Sequence, residues 1–510
     1  MQQYISGEVV VYSAKCEEQK EFEWNLPEYL PGISRIAKSD VTIDKCIFSN
    51  DDKNAFVDLA MKVKILYVSD HEGKLKSAVF DQKQTVSFKE PFGIDGEFTA
   101  VPSCYLSTVQ ARAVTGRKIS VGFILTCGVT VLKGQETPLY DAGDNEGICT
   151  LKKELDVCSR ITLPETHFEH RASITLDSSK PPIGEIVYSK AAFSRNKANA
   201  LDGFVDFEAN LEIFVLYEVG GDDGDGDVSY ASFVFPVTLK NSLSDSRIND
   251  SYMPYLYIDS GSAEPSVSFD SFGENKEVSF DINYSVSGFL SKNEKKEIVA
   301  DAFCEHSQSH AEMTSLSFDR IKNTVNKSET IRETARCDMS GLQEISDCLA
   351  SIRSVSFEQS ESSLFAATRC MVEVFGTNAS GELICVDCPV TLHVPIEDSS
   401  VFNAETFPDI ILSITSCKSE ISAGNLVCTV EFCTKGIICE KSSCDAVKNL
   451  EVSDTQISQT PDSEIIVFYP SAGDGIWDIA KKYRRSPLSI RQANNIDGDD
   501  ISSKHFLLIP

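Results

Sequence analysis

The sequence predicts a mainly β protein, with three tandem β-rich repeats followed by a small C-terminal βααβ domain. Three observations carry this reading. Apolar and polar residues alternate with a period of two along most of the chain, the pattern of strands with one wet face. One hairpin layout recurs three times at single-domain spacing. The stretch SAGDGIWDIAKKYRRSPLSIRQANNI, Ser471 to Ile496, instead repeats its apolar residues at helical spacing. At 510 residues the chain is too long for one core.

The first repeat contains PGISRIAKSDVTIDKCIFSN and then AFVDLAMKVKILYVSDHEGKLKSAVFDQKQTVSF. The second has PPIGEIVYSKAAFSRNKANALDG and then FVDFEANLEIFVLYEVGGDDGDGDVSYASFVFPVTLK. The third has ISDCLASIRSVSFEQSES and then LFAATRCMVEVFGTNASGELICVDCPVTLHVPI. Each reads as a strand, a short polar gap, a long alternating strand, a turn and a returning strand. The turns SDHEGK, VGGDDGDGD and TNASGE fill one slot and differ mainly in length, as hairpin tips tolerate. Pro31, Pro182 and Glu344 mark equivalent places, roughly 150 to 160 residues apart. Further alternating stretches close each repeat. The expected domains are 1–145, 146–305 and 306–446, with a weakly periodic linker over 447–463 and a terminal domain over 464–510.

In the terminal domain EIIVFYP reads as a strand, and Asp474 is the expected cap of the helix that follows. Ile476, Ile479, Ala480 and Tyr483 share one face, and Trp477 is the expected centre of the small core. Ser486-Pro487 opens a second helix as N-cap and first residue. Ile490 and Ala493 are expected to face inward, Asn494-Asn495 to end the helix, and HFLLIP to return as a strand.

The net charge is −30, and all of it falls before residue 464, because the terminal segment has six basic and six acidic residues. Such a field repels nucleic acid. The seventeen cysteines are odd in number, and many sit inside apolar strand patterns, so mostly reduced thiols are expected. The N-terminal sequence lacks the basic start and apolar core of a signal peptide, and no apolar run is long enough to cross a bilayer. A cytoplasmic protein without a transmembrane segment is expected.

Candidate metal motifs have blander explanations. GGDDGDGD lacks the later bidentate Glu of a calcium loop and reads as a solvated hairpin tip. Cys304, His306 and His310 have no evident fourth ligand, and EHSQSHAEM reads as a polar connector. Cys385 and Cys388, within a strand, point to opposite faces. Cys433, Cys439 and Cys444 have no accompanying histidine. No metal or other cofactor is expected. Nucleophile elbow, Walker A, dinucleotide and zinc-protease patterns are all absent from the sequence, so no enzymatic activity is expected. Lys481, Lys482, Arg484 and Arg485, extended by Arg491, form the densest basic group. They read either as a solvated helix face or as a docking patch for an acidic partner.

The terminal segment resembles the LysM domain through Gly473, Asp474, Ile476, Trp477, Ile479, Ala480, Tyr483, Ile490, Asn494, Asn495, Ile496, Ile501 and the closing Leu507-Leu508-Ile509-Pro510. The resemblance implies a shallow groove for N-acetylglucosamine polymers. By position it comprises Ser471, Gly473, Asp474, Gly475, Ile476, Asn495, Ile496 and Asp497. The sequence departs from the pattern at Gly475, where Thr or Ser is usual, and at Lys504, where a turn Gly is usual. The upstream repeats resemble the SPOCS domain, most clearly in 1–135. Tandem SPOCS-like domains before one LysM resemble a family of clostridial spore-coat morphogenetic proteins. That resemblance implies a scaffold on the mother-cell side of the forespore surface. Its implied partner is a coat morphogenetic ATPase or another coat protein, docked through the LysM domain. The alternative is a peptidoglycan-binding wall or cortex protein.

Overall fold

The computed structural model describes residues 4–51, 53–141, 143, 147–220, 229–339, 341–360, 363–381, 383–398, 406–456, 465–471, 473–498, 501 and 505–510. Among these residues there are twenty strands and two helices, a mainly β architecture. The tip of the second hairpin, residues 221–228, and Lys504 lie outside the described residues.

The first six strands are β1 (Tyr4–Asn25), β2 (Ile33–Asn50), β3 (Ala55–Ser69), β4 (Leu75–Ser87), β5 (Thr99–Thr115) and β6 (Lys118–Pro138). They form two antiparallel sheets, β2-β3-β4 and β1-β6-β5. The next six are β7 (Ile148–Thr175), β8 (Ile183–Leu201), β9 (Phe204–Val219), β10 (Tyr230–Ser244), β11 (Met253–Ser268) and β12 (Glu277–Cys304). Their sheets are β8-β9-β10 and β7-β12-β11. The third set is β13 (Ser307–Ala335), β14 (Glu344–Gln359), β15 (Ser363–Thr377), β16 (Leu383–Asp398), β17 (Thr406–Ser422) and β18 (Asn425–Gln456). These pair as β14-β15-β16 and β13-β18-β17. The same strand order thus occurs three times.

Period-two burial explains each sandwich. Along β3, Ala55, Val57, Leu59, Met61, Val63, Ile65 and Tyr67 are each no more than 3% exposed. They share a core with Ile119, Val121, Phe123, Leu125, Cys127, Val129 and Val131 of β6. The central strands β9 and β12 do the same in the second unit, and β15 and β18 in the third. The Tyr67 hydroxyl donates to the Pro31 carbonyl at 3.1 Å, and the Tyr217 hydroxyl to the Pro181 carbonyl at 3.2 Å. Pro181, not Pro182, is therefore the counterpart of Pro31, a one-residue correction to the sequence alignment.

Two connections differ from expectation. Residues 447–456, expected as linker, continue β18, because the long partner β13 carries the ladder out to Ser307 opposite Gln456. Val447 and Leu450 are buried there with Val299 and Ala302 of β12. EHSQSHAEM is not a connector either: β12 ends at Cys304 and β13 starts at Ser307. The cysteines also depart in one place. Fifteen are free, and Cys337 and Cys388 form a disulfide. Cys385 borders the apolar contact between units, whereas Cys388 lies in the third unit's core, on opposite faces of β16.

The outer faces of the three hairpin sheets meet one another. Leu66, Val187, Tyr188, Phe214, Leu216, Leu349 and Phe375 form an apolar junction drawn from all three units, with the Phe214 and Phe375 rings stacked at 4.4 Å. Within it lies a charge network. Lys38 Nζ is 2.7 Å from Glu373 and 2.6 Å from Asp387. Lys190 Nζ is 2.6 Å from Glu373 and 3.3 Å from Asp40, and Arg353 stands 3.9 Å from Asp40. Burial alone would lower the Lys38 pKa, but Glu373, Asp387 and Asp40 together raise it above the ordinary lysine value. Burial would likewise raise Asp40 and Glu373, but Lys190 and Lys38 hold both below the usual carboxylate range.

Replacing Glu373 by Gln strips two buried ammonium groups of a shared partner. At pH 7 this should cost about 3–5 kcal/mol, read as a lower unfolding midpoint in urea. Because Glu373 titrates lower in the folded protein than unfolded, its contribution is present above about pH 4.5 and fades as pH falls through the folded value. The gap between wild type and variant should therefore narrow in acid. An equal gap at pH 7 and pH 3 would contradict this account.

Candidate docking module

The terminal unit runs β19 (Ile466–Phe468), α1 (Ile476–Tyr483), α2 (Pro487–Asn494) and β20 (Leu507–Ile509), with β19 and β20 antiparallel. Its core is Ile476, Ile479, Ala480, Ile490, Ile496, Ile501, Leu507 and Ile509. Ser486 caps α2, its side chain accepting from the Leu488 N–H at 3.2 Å, with Pro487 at the first helical position. Asn495 ends α2 at φ 48°. Asn494 joins α2 to β20. Its amide nitrogen donates to the Ile490 carbonyl at 2.8 Å and the Leu508 carbonyl at 2.6 Å, and its oxygen accepts from the Leu508 N–H at 2.6 Å.

Three local expectations are corrected. Asp474 does not cap α1. Gly475 is the N-cap, and the Asp474 carboxylate accepts from the Ser471 N–H at 2.7 Å, closing the preceding turn. Ala493 is exposed, because it lies on the outer side of the short α2. Trp477 is not the core centre: it is half-buried at the module's edge. Ile476 and Ile479 fill the interior, which leaves the indole to pack outside it.

That edge meets the body of the protein. The Trp477 indole N–H donates to Asp301 of β12 at 2.8 Å, and its ring lies 5.2 Å from that of Phe303. Lys481 Nζ reaches the same Asp301 carboxylate at 2.7 and 2.8 Å. Arg484 donates to the Ser307 carbonyl, at the start of β13, at 2.6 Å. One carboxylate thus receives an indole and an ammonium group presented one helical turn apart, and the i, i+4 spacing of Trp477 and Lys481 places both on one face.

The basic group is therefore divided. Lys481 and Arg484 bond within the chain. Lys482 is exposed and lies 5.6 Å from the Phe468 ring centroid and 5.5 Å from that of Tyr483. Arg485 and Arg491 are half-buried, their backbones engaged in the caps of α1 and α2. Of the predicted groove residues, Ser471, Gly473, Asn495 and Asp497 are exposed, and Asp474 and Gly475 are half-buried. Ile476 and Ile496 point into the core instead, at 0% and 8% exposure. A Cβ on Gly475 would come 3.2 Å from the Asp478 carboxylate. Among the described residues, no group of three or more His, Cys, Asp and Glu side chains is placed to hold a metal ion. Cys304 is buried, whereas His306 and His310 are exposed. The roles of Asp301 and Phe303 carry no distinguishing mark in the sequence, since both lie in an ordinary strand pattern. No protein-family model matches the chain, and no curated protein or solved structure matches it.

Asp301→Ala should loosen the module from the body. Losing the charged acceptor of the indole costs about 2 kcal/mol, and the exposed Lys481 pair adds little because solvent screens it. Trp477 emission should shift to the red while the unfolding of the body stays unchanged. Unchanged emission would show that Asp301 does not hold the module.

Proposed function

We propose that the chain is a non-enzymatic scaffold for spore-coat assembly, acting on the mother-cell side of the forespore surface. Its terminal LysM-like module docks to a coat morphogenetic ATPase or another coat protein. The observation that best supports a scaffold is one repeated architecture. Three SPOCS-like sandwiches of identical strand order converge on a shared junction, and a separate βααβ unit follows them. Among the described residues no helix is long and apolar enough to cross a membrane.

The local charge of the module supports a protein partner. The chain carries −30 overall, so an acidic partner is repelled by most of it and steered towards the terminal basic group. In the docked arrangement Lys482 is exposed and lies clear of the Asp301 contact that holds Lys481. On undocking, Trp477, Lys481 and Arg484 join it. Gly475, lacking the usual hydroxyl, weakens the case for a glycan as the main ligand.

The test uses the full chain, with capture of a coat morphogenetic ATPase and of purified peptidoglycan measured in parallel. Lys482→Glu should leave the fold intact, lower ATPase capture several-fold and reduce its dependence on salt. Strong capture of peptidoglycan with no capture of the ATPase would overturn the scaffold reading in favour of a wall-binding protein.

A further inference from the structure

Fifteen free cysteines are distributed through the three units, and two pairs bridge the two sheets of one unit where no backbone hydrogen bonds join them: Cys46 and Cys104 in the first, 3.4 Å apart, and Cys348 and Cys417 in the third. Cys348 lies on β14 and Cys417 on β17, edge strands of the two different sheets of the third unit, and both pack against the margin of its core. Their sulfurs are 3.8 Å apart, and both side chains are half-buried rather than sealed. We propose that Cys348 and Cys417 are a modification site, a latent disulfide that closes by exchange with a low-molecular-weight disulfide and fastens the two sheets of the third unit together.

The chemistry balances with that one co-reactant. The Cys348 thiolate attacks a sulfur of the small disulfide, forming a mixed disulfide and releasing one small thiolate. The Cys417 thiolate then attacks the Cys348 sulfur, forming the internal disulfide and releasing the second small thiolate. The two cysteine protons pass to solvent or to the released thiolates, and the small disulfide is reduced by two electrons as the cysteine pair is oxidised. The 3.8 Å contact is that of neighbouring thiols, and closure requires the sulfurs to approach to about 2.05 Å. Residues 348 and 417 are 69 apart in sequence, so the link closes a long loop and constrains the unfolded chain.

The surroundings favour Cys348 as the attacking thiol. Hydrogen bonding from Cys417 holds its pKa down to about 7, against burial, with further help from Ser419 and opposition from Asp347. Asp347 itself is raised by burial and faces Lys180 of the second unit. Cys417 is pushed up by Cys348 and by burial, with Cys428 and Cys370 also facing it. Elsewhere burial raises Cys16, Cys149, Cys370, Cys385, Cys428 and Cys444. Cys158 is held down by Cys439, but it is only 8% exposed and beyond easy reach of a solute.

The experiment treats the anaerobically purified full chain with oxidised glutathione and maps thiols by alkylation and peptide mass spectrometry. The first phase should remove two thiols per chain and give a Cys348–Cys417 linkage. Its rate should rise with a midpoint near pH 7. Cys417→Ser should stop the reaction at glutathione attached to Cys348, and Cys348→Ser should abolish the first phase. The wild-type linkage and pH profile decide the matter even if a variant folds poorly. A first linkage among Cys46, Cys104 and Cys127, a stable glutathione adduct on wild-type Cys348, or a midpoint above pH 9 would each overturn the assignment.

Discussion

The structure depends on a balanced charge network buried where three sheets meet. Lys38 and Glu373 have side chains only 1% and 2% exposed, a placement that is costly unless every charge is paired. Three cations, Lys38, Lys190 and Arg353, face three carboxylates, Asp40, Glu373 and Asp387. They come from all three units, so no unit alone can satisfy them. Leucine and phenylalanine faces can slide past one another with little penalty. A misplaced charge cannot, because one buried ion left unpartnered costs several kcal/mol. The apolar junction supplies the attraction, and the ions select one arrangement from the many that an apolar contact would accept.

The positions of these ions follow from strand register. Counting three residues back from the partner of each hairpin's first isoleucine reaches Leu66, Leu216 and Glu373. Two units place leucine there, and the third places a carboxylate. The third unit therefore differs chemically from its fellows at the one point where all three converge. A triplicated architecture needs such a difference, since three identical faces could associate in several relative orders.

Much of the fold is legible in the sequence because one physical signal dominates it. Alternation in AFVDLAMKVKILYVS becomes the β3 core stripe residue for residue, and the helical spacing of Ile476, Ile479 and Ala480 becomes the inner face of α1. The illegible features are those fixed by distant partners. Glu373 in MVEVFG looks like a wet-face residue, and only the neighbouring units make that face dry. Val447 and Leu450 look like linker, because their ladder depends on the length of β13, a strand more than a hundred residues earlier. Trp477 invites assignment to a core on size alone, yet the short module fills its core with isoleucines and turns the indole towards β12. Asp474 shows the same limit at shorter range: its carboxylate closes the turn at the Ser471 N–H instead of capping α1.

The terminal module extends the logic of the central junction to a weaker contact. Both sites bring cations of one unit to a carboxylate of another, but they differ in solvation. Lys481 is 47% exposed and Asp301 is 22% exposed, so water can replace either partner at little cost. Glu373 has no such alternative. A network whose central Lys38 and Glu373 are sealed from solvent fixes the three sandwiches as one body, and a solvated one lets the fourth unit be held without being locked. The same two side-chain chemistries therefore give a permanent junction and a separable one, and burial decides between them.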